Sequence, residues 1–367
     1  MTIRADIAII GGGIAGLSLA AAIGGRASVV VVEAEDALFH HTSSRSAQQM
    51  QPTYGPAPVR ALTAASIPMV EARADAAGRR IYVDRPLLWL HYDAAAPERF
   101  ERLLATVPGL TAIGADEAVR LLPPLDRAPL VDAAVDLSAV EVDVPVLLGW
   151  YRDDAVAAGT RIVSGSRATR AERVGEVWRV AAGTEAVEAP VVVDAAGAWA
   201  DAVAALFGVR PRGLVPKRRT VAVAPAARPV DPRWPMAADV ADRFYFRPRG
   251  EAVLASALED VPSEPEDAQP LPEVVATVLE RVDAVTDLRL GTPIATWTGL
   301  RTLSPDTVPV VGFDDAVPGF FWLAGQGGYG IQTSAALAQV AAGLLLDADH
   351  GLEGLADVPA QLSPGRL

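Results

Sequence analysis

The chain has 367 residues, of which 51% are hydrophobic and 21% charged, and its net charge at neutral pH is −13. This length exceeds one hydrophobic core and predicts two domains. The acidic balance argues against nucleic acid and anionic membranes as partners. The chain has no cysteine, which excludes disulfides, thiolate catalysis and Cys-ligated metal centres. Four histidines, His40, His41, His91 and His350, are too few and too scattered to predict a metal site.

The first informative segment is a glycine-rich loop at residues 11–16. Gly11, Gly13 and Gly16 fill the pattern G-x-G-x-x-G between an apolar strand and an Ala-rich helix, and Glu33 closes a second strand about 20 residues later. These glycines allow a tight turn, close approach of a pyrophosphate and close packing of helix on strand. Glu33 suits ribose hydroxyls and would repel the 2′-phosphate of NADP. The segment predicts a dinucleotide-binding fold.

The N-terminal segment also has a superficial likeness to a signal peptide. Residues 7–25 carry no charge and follow Arg4. However, three consecutive glycines interrupt the apolar run, Asp6 precedes it, and the dinucleotide fingerprint accounts for every residue. We therefore expect a mature cytoplasmic N-terminus, without a transmembrane segment.

Further along the chain, apolar spacing predicts helices at residues 60–78, 97–106, 144–158 and 274–286, and extended chain at residues 81–92. Strands are predicted at residues 161–163, 176–180, 189–194, 217–224, 243–246 and 252–254. Polar residues 39–55 and acidic residues 260–273 are expected to be loops. Residues 111–143 show no clear period. If residues 243–246 form a strand, Tyr245 faces away from Phe244 and Phe246.

Two later segments repeat the order of strand, glycine and helix. The first runs from Ala189 into Asp194-Ala-Ala-Gly-Ala-Trp199, and the second from Phe320 into the glycines before Ile331. A second helix N-terminus therefore points towards the same ligand as the first, where its positive end stabilises negative charge.

Several motifs in one order carry a family resemblance over nearly the whole chain. They are the opening fingerprint and the segments Ser44–Ala47, Arg60–Ser66, Asp194–Trp199, Pro216–Thr220, Thr296–Arg301, Gly319–Trp322 and Gly325–Ala336. Together they resemble the FAD-dependent D-amino acid oxidase superfamily. Within it, the chain is most similar to the D-arginine dehydrogenase type of bacterial D-amino acid dehydrogenase.

The resemblance implies an α/β Rossmann-like FAD-binding domain with a second, α+β substrate domain built on a mainly antiparallel sheet. The expected FAD-binding domain is discontinuous and comprises residues 1–80, 140–212 and 294–367. The expected substrate-binding domain comprises residues 81–139 and 213–293.

The resemblance also assigns roles to individual residues. The residues expected to hold FAD are Gly11, Gly13, Ile14, Ala15, Gly16, Glu33, Ala34, Arg45, Ser46, Ala47, Gln49, Ala168, Ala196, Gly197, Trp199, Gly299, Arg301, Gly328, Tyr329, Gly330, Ile331, Gln332 and Thr333. The residues expected to act on substrate are Arg219 and Arg301 for its carboxylate, Tyr54 and Tyr245 beside it, the Gly328 carbonyl for its amine, and Gln49.

The implied reaction moves a hydride from the Cα of an amino acid to flavin N5, which gives an imino acid that water hydrolyses to a 2-oxo acid and ammonia. Planar guanidinium groups suit the carboxylate of such a substrate. An external acceptor, either a quinone, oxygen or another oxidant, would then reoxidise the flavin. Alternatives are oxidation of a secondary amine, a pathway-specific tailoring reaction, an NAD-dependent dehydrogenase, and a flavin-binding subunit without its own reaction.

Two departures from the arginine-oxidising relatives bear on the substrate. Their guanidinium-pairing acid is missing from Leu88–His91, so an apolar or aromatic D-amino acid is expected rather than D-arginine, since a buried unpaired guanidinium is costly. Gln49 stands where those relatives carry histidine. An amide donates a hydrogen bond but takes no proton near neutral pH, so the sequence assigns no general base.

Overall fold

The computed structural model describes residues 2–95 and 97–367, and every element below belongs to that part of the chain. The strands are β1 (Thr2–Arg4), β2 (Ile7–Ile10), β3 (Val29–Val32), β4 (Gln49–Met50), β5 (Tyr82–Asp84), β6 (Leu87–His91), β7 (Thr111–Gly114), β8 (Asp132–Asp136), β9 (Val140–Val142), β10 (Arg161–Val163), β11 (Ala168–Val174), β12 (Val177–Ala182), β13 (Glu185–Ala189), β14 (Val191–Asp194), β15 (Val215–Pro225), β16 (Met236–Asp239), β17 (Tyr245–Arg249), β18 (Ala252–Ser256), β19 (Val261–Pro262), β20 (Ala295–Leu303), β21 (Val310–Phe313) and β22 (Phe320–Ala324).

The α-helices are α1 (Ile14–Ile23), α2 (Ala57–Ala76), α3 (Glu98–Thr106), α4 (Ala115–Leu121), α5 (Val144–Ala157), α6 (Ala200–Leu206), α7 (Pro272–Asp283), α8 (Gly330–Leu346) and α9 (Val358–Leu362). Short 3₁₀ helices occupy Thr42–Ser44, Gly197–Trp199 and Pro364–Arg366. Among the described residues, no helix has the length and apolarity needed to cross a membrane.

A mainly parallel sheet forms the centre of the first layer, with the strand order β10-β3-β2-β14-β22-β21. Strands β2, β3 and β22 are buried at every position. Alternate residues of β2 and β3 enter two separate cores, one against α1 and α8 and the other against β12, β13 and α6. Because both faces of this sheet are covered, its strands are continuous apolar runs rather than alternating ones.

A nine-stranded sheet forms the second layer, with the order β19-β15-β18-β17-β16-β6-β8-β7 and β20 also paired with β15. All its pairings are antiparallel except that of β6 with β16. Helix α7 packs against β15 and β18. This Rossmann-like layer with a second, sheet-rich layer is the predicted fold class.

The domain boundaries predicted from the sequence stay a proposal, and the pairing of β20 is relevant to the boundary at residue 294. The expected boundary at residue 294 groups β20 with the FAD-binding segments. In the structure, β20 pairs with β15 along nine residues, from Val215 opposite Leu303 to Val223 opposite Ala295. By its hydrogen bonds β20 therefore belongs to the nine-stranded sheet, and we place the proposed boundary after Leu303.

Residues 111–143, which gave no periodic signal, contain β7, α4, β8 and β9. One residue that departs from the expected pattern is Asp136, which ends β8 and is completely buried. Its carboxylate accepts hydrogen bonds from the Thr53 hydroxyl (2.6 Å) and from the backbone N–H of Ser138 (2.8 Å). From the sequence alone, a buried acid whose hydrogen-bond partner lies 83 positions away cannot be distinguished from a loop residue.

Candidate active site

A cavity of about 420 Å³ is lined by both layers of the molecule. One end of its lining comes from the loops after β2 and β3, and the other from β15, β16, β17 and β20. We call these the nucleotide end (residues 10–15, 32–43, 167–168 and 195–206) and the substrate end (Tyr54, Trp89, residues 219–258 of the lining and Arg301).

The nucleotide end is built from backbone. A Cβ added to Gly11 would lie 2.4 Å from the carbonyl oxygen of Ala195, and one added to Gly16 would lie 2.1 Å from that of Gly11. Gly13 has only the Ser43 hydroxyl nearby and faces the cavity. Gly13 provides no side-chain cap for helix α1, whose first turn has no acid, and the Ser43 hydroxyl accepts a hydrogen bond from the Ile14 N–H (2.9 Å). These features leave a positive helix end facing an open cradle, which fits a pyrophosphate.

Glu33 lies beside this cradle and is half-buried. Its carboxylate accepts hydrogen bonds from the backbone N–H of Gly12 (2.6 Å) and of Glu35 (2.8 Å). Each carboxylate oxygen has a further lone pair, so these bonds hold the side chain at the cavity wall while leaving acceptor capacity for ribose hydroxyls.

The middle of the cavity lies beside Arg45 and the 3₁₀ helix Thr42–Ser44. The Arg45 guanidinium donates to the carbonyl oxygen of Thr298 (2.8 Å) and forms an ion pair with Asp267, which belongs to the acidic loop after β19. The Arg45 carbonyl accepts a hydrogen bond from the indole of Trp297 (3.1 Å). Thus the segment predicted to line the flavin is held by β20 and by the acidic loop.

Arg219 and Arg301 come together because of strand pairing. Arg219 of β15 lies opposite Gly299 of β20, and Arg301 is two residues farther along β20. Since side chains alternate along a strand, the two arginines share one face and are diagonal neighbours. Their separation in sequence is 82 residues, so only the register of this ladder brings them together.

The two guanidinium groups lack anionic partners. Within residues 2–95 and 97–367, neither forms an ion pair. Arg219 donates from Nε to the Glu259 carbonyl (2.9 Å), and its buried Nη1 has no hydrogen-bond partner there. Burial, followed by the charge of Arg301, lowers the pKa of Arg219. Among the described residues, the Arg301 guanidinium has one hydrogen-bond partner, the Tyr54 hydroxyl at 3.5 Å. Such a pair fits a carboxylate.

The glycine loop before α8 completes this end. A Cβ on Gly328 would lie 2.8 Å from Cζ of Arg301, so the guanidinium packs directly on the glycine backbone. The rings of Tyr54 and Tyr329 lie 5.4 Å apart in an edge arrangement, and burial raises the pKa of Tyr329. Tyr329 therefore stays neutral at all ordinary pH values.

A cross-strand row of the nine-stranded sheet forms the roof of the substrate end. Trp89, Ala238 and Tyr245 are paired across β6, β16 and β17, and all three line the cavity. Phe244 and Phe246 enter a separate core on the opposite side of the sheet. The prediction that Tyr245 faces away from both phenylalanines is confirmed.

Gln49 lines the cavity. Its amide N–H₂ donates to the Arg85 carbonyl (2.7 Å), and its buried Oε1 has no partner in the described part of the chain. Gln49 therefore offers an unpaired acceptor, and its amide N–H₂ keeps one further donor beside the hydrogen bond to Arg85. The expectation that Gln49 can donate a hydrogen bond stays a prediction.

Most of the residues predicted for the site lie on the cavity wall. These are Gly11, Gly13, Ile14, Ala15, Glu33, Ala34, Arg45, Ser46, Ala47, Gln49, Tyr54, Ala168, Ala196, Gly197, Trp199, Arg219, Tyr245, Gly299, Arg301, Gly328, Gly330, Ile331 and Gln332. Gly16, Tyr329 and Thr333 lie behind the wall: Gly16 packs on Gly11, and the Thr333 hydroxyl bonds the Tyr329 carbonyl.

Several wall residues were missed by the sequence analysis, namely Gln51, Trp89, Met236, Asp242 and Leu258. The alternation of Leu87–His91 could have separated Trp89 from Leu88 and Leu90, which pack in another core. Nothing local marks Asp242, which lies in the turn between β16 and β17.

Two histidines are also less scattered than expected. One ligand atom each of Glu35, His40 and His41 lies within 4.8 Å of the others, at the nucleotide end. The Nε2 atom of His41 is 3.2 Å from the Glu35 carboxylate.

The chain resembles known proteins both in sequence and in structure. A family model described as FAD dependent oxidoreductase (DAO) matches residues 6–344. The structure is similar to glycine oxidase from Geobacillus kaustophilus (TM-score 0.85, 21% identity, 99% of both chains covered). It is also similar to L-proline dehydrogenase from P. horikoshii (TM-score 0.87, 18% identity, 100% of this chain and 98% of the other). A third similar structure is L-amino acid deaminase from Proteus vulgaris (TM-score 0.80, 18% identity, 99% and 97% covered).

Proposed function

The chain belongs to the DAO family of FAD dependent oxidoreductases, and from this premise we propose that it oxidises the Cα–N bond of an amino acid. The products would be an imino acid and, after addition of water, a 2-oxo acid and ammonia. The proposal rests on Arg219 and Arg301, whose guanidinium groups have no anionic partner among the described residues. They lie at one end of a cavity whose other end fits a pyrophosphate. The FAD requirement makes an NAD-dependent dehydrogenase untenable.

FAD, when bound, supplies the acceptor for a hydride leaving Cα. In this proposal, the glycine loop and the α1 N-terminus hold the pyrophosphate, Glu33 holds the ribose, and the Ala168 backbone meets the adenine. Arg45–Ala47 and Gly328–Gln332 line the flavin. The supporting observations are the open backbone at Gly13 and the position of all these residues except Tyr329 on the cavity wall.

The chain's own residues then fix the substrate. Arg219 and Arg301 take the carboxylate in charge-assisted hydrogen bonds worth about 1.5–3 kcal/mol each. The Gly328 carbonyl accepts from the amine, and Tyr54 and Tyr245 close the space beside it. Holding two points of the substrate leaves one face of Cα towards the flavin, which is the positioning that such a transfer requires.

The amine must be neutral before the hydride leaves, and we assign no general base among the residues proposed to hold the substrate. Gln49 Oε1 is an acceptor that can orient an amine N–H, not a base. We propose that the amine loses its proton to solvent, helped by the two nearby positive charges, which disfavour an ammonium ion.

We propose an apolar or aromatic side chain for the substrate, and the D configuration, as in D-arginine dehydrogenase-type relatives. The support for the side chain is the roof of Trp89, Met236, Ala238 and Tyr245. Leu88–His91 has no acid, but Asp242 lies on the cavity wall, so a missing acid no longer argues against D-arginine. The preference for an apolar or aromatic side chain therefore rests on the apolar roof alone. A secondary amine is the second candidate substrate, and N-methyl amino acids test it.

The decisive experiment is anaerobic mixing of the holoenzyme with D- and L-amino acids and N-methyl amino acids, with loss of the flavin absorbance band as readout. We expect bleaching by D-leucine or D-phenylalanine faster than by D-arginine. If no amino acid or amine reduces the flavin, the protein is a flavin-binding subunit whose partner supplies the reaction. Preference for L substrates would overturn the stereochemical part alone. Repeating the reduced sample with oxygen or a quinone identifies the acceptor class.

A further inference from the structure

Asp242 occupies a distinctive position in the substrate end. It lies in the turn between β16 and β17, directly after strand residues Met236 and Ala238 and before Tyr245, all of which line the cavity. Its backbone is left-handed, with a φ of 55°. Asp242 is an exposed residue of the cavity wall, so it lies where that wall meets solvent. A carboxylate thus stands at the substrate end, close to the cavity opening.

The charge of Asp242 is not compensated by a direct partner. Within the described ranges, its carboxylate has no hydrogen bond and no ion pair. The two neighbouring acids differ, since Asp239 is bound by Arg243 and Asp260 by Lys217 (2.6 Å). Partial burial of the carboxyl raises the pKa of Asp242, whereas the charge of Arg219 acts to lower it. Arg99 is a further positive group in its surroundings.

The remaining acids of the cavity wall have other positions or partners. Glu33 and Glu35 lie at the nucleotide end, and Glu266 is paired with Arg218. Asp242 is therefore the acid of the wall that stands near the carboxylate-binding arginines without a cation of its own.

We propose that Asp242 is a specificity-determining residue that rejects substrates with a second carboxylate and admits those with neutral side chains. This inference rests on the proposed amino acid oxidation. Two unpaired arginines would otherwise attract either carboxylate of a dicarboxylic substrate, and binding through the wrong one would turn Cα away from the flavin. A negative charge at the opening raises the free energy of every such complex, whichever carboxylate the arginines hold.

The test compares isosteric ligands on intact holoenzyme. Glutarate and its monoamide differ by one charge at nearly constant shape, and perturbation of the flavin spectrum reports their dissociation constants. We expect wild type to bind the monoamide better. Asp242→Asn should lower the glutarate-to-monoamide ratio of dissociation constants about fivefold at low salt, the size expected for one partly screened charge. The effect should shrink as salt increases.

Asp242→Asn is suited to this test because asparagine also tolerates the left-handed backbone. The matched control is Glu353→Gln, which removes one exposed negative charge remote from the cavity wall and should leave the ratio unchanged. As a second readout, turnover of glutamate relative to glutamine, in whichever enantiomer the enzyme accepts, should rise in Asp242→Asn and not in the control.

The outcomes separate the two claims. If the monoamide perturbs the flavin in wild type but the ratio is the same in Asp242→Asn, the inference is overturned and the proposed function stands. If no carboxylate perturbs the flavin of wild type, the carboxylate site itself is absent and the proposed function fails. A ratio that changes equally in Glu353→Gln would show a net-charge effect and would also overturn the inference.

Discussion

In the proposed function, the two ends of the cavity bind anions in different ways. The nucleotide end would use backbone N–H groups and a helix terminus, and Gly11 and Gly16 leave no room for a Cβ. The substrate end would use two long cationic side chains from paired strands. Backbone recognition depends on exact chain geometry, whereas side-chain recognition depends on charge. The first should therefore fail under the smallest steric change, and the second under loss of charge.

The largest effect is expected from a methyl group at the nucleotide end. Gly16→Ala places a Cβ 2.1 Å from the Gly11 carbonyl, which is backbone and cannot move without opening the cradle. Overpacking of this kind costs about 1–3 kcal/mol or more, and here it also displaces the groups that would hold the pyrophosphate. We expect at least ~100-fold weaker FAD binding, measured by fluorescence titration of the apoprotein.

The control for this variant is Gly149→Ala, within α5, where a Cβ meets nothing within 4 Å. Alanine is favoured over glycine in a helix by about 0.5–1 kcal/mol, so this variant should be as stable as wild type or more so. A Gly16→Ala protein that purified with a full complement of FAD would break the distinction between the two ends.

At the substrate end we expect an effect of intermediate size. One substitution there should maintain or raise stability and should weaken binding. Arg219→Met removes a buried charge that lacks an ionic partner, so the melting temperature of the apoprotein should rise or stay unchanged. The same variant should bind propionate about 10–100-fold more weakly, because one charge-assisted partner is lost. Calorimetry and flavin difference spectra measure the two quantities.

Lys217→Met is the matched control, since Lys217 lies on the same strand but pairs with Asp260 at the surface. Its propionate affinity should equal that of wild type. If Arg219→Met lowered the melting temperature and left propionate binding intact, Arg219 would be a structural residue rather than part of the carboxylate site.

The difference between the two ends also explains what the sequence could predict. The glycine loop, the helices on either side of it and the Glu33 position are local features, and each was predicted from neighbouring residues. The loop before α8 was predicted for the same reason. The structure places the start of α1 at Ile14 and that of α2 at Ala57, close to the expected positions.

The substrate end depends on pairings between distant strands. Arg219 and Arg301 were named by resemblance to a family, and the physical reason for their proximity, the β15–β20 register, is not readable from either segment alone. Asp242 was missed because a turn acid has no local feature that distinguishes a cavity wall from a surface, whereas alternation in Leu87–His91 gives the face of Trp89 but not what that face lines. Within residues 111–143, the buried acid Asp136 depends on the distant Thr53, which the local sequence does not show.

The smallest effect concerns a charge at the backbone-built end. Asp194 ends β14 and is completely buried, and one carboxylate oxygen accepts from the Ala196 N–H (3.1 Å) while the other has no partner within the described ranges. Burial raises the pKa of Asp194 well above its usual value. The folded protein therefore keeps a proton that the unfolded chain releases, and Asp194 lowers stability progressively as pH rises above the unfolded pKa of about 3.9.

Asp194→Asn mimics the protonated acid at every pH, so its melting temperature should exceed that of wild type by about 2–4 °C at pH ~7.5, the shift that ~1 kcal/mol produces in a domain of this size. The difference should shrink as pH falls and vanish below pH ~3, where Asp194 of wild type is protonated in both the folded and the unfolded state. Asp201→Asn provides the contrast, because both Asp201 oxygens accept backbone N–H groups, from Arg212 and Leu214 at 2.9 Å each. Losing one acceptor there should destabilise the protein. If both variants changed the melting temperature in the same direction, the nucleotide end would tolerate buried charge as readily as the substrate end does.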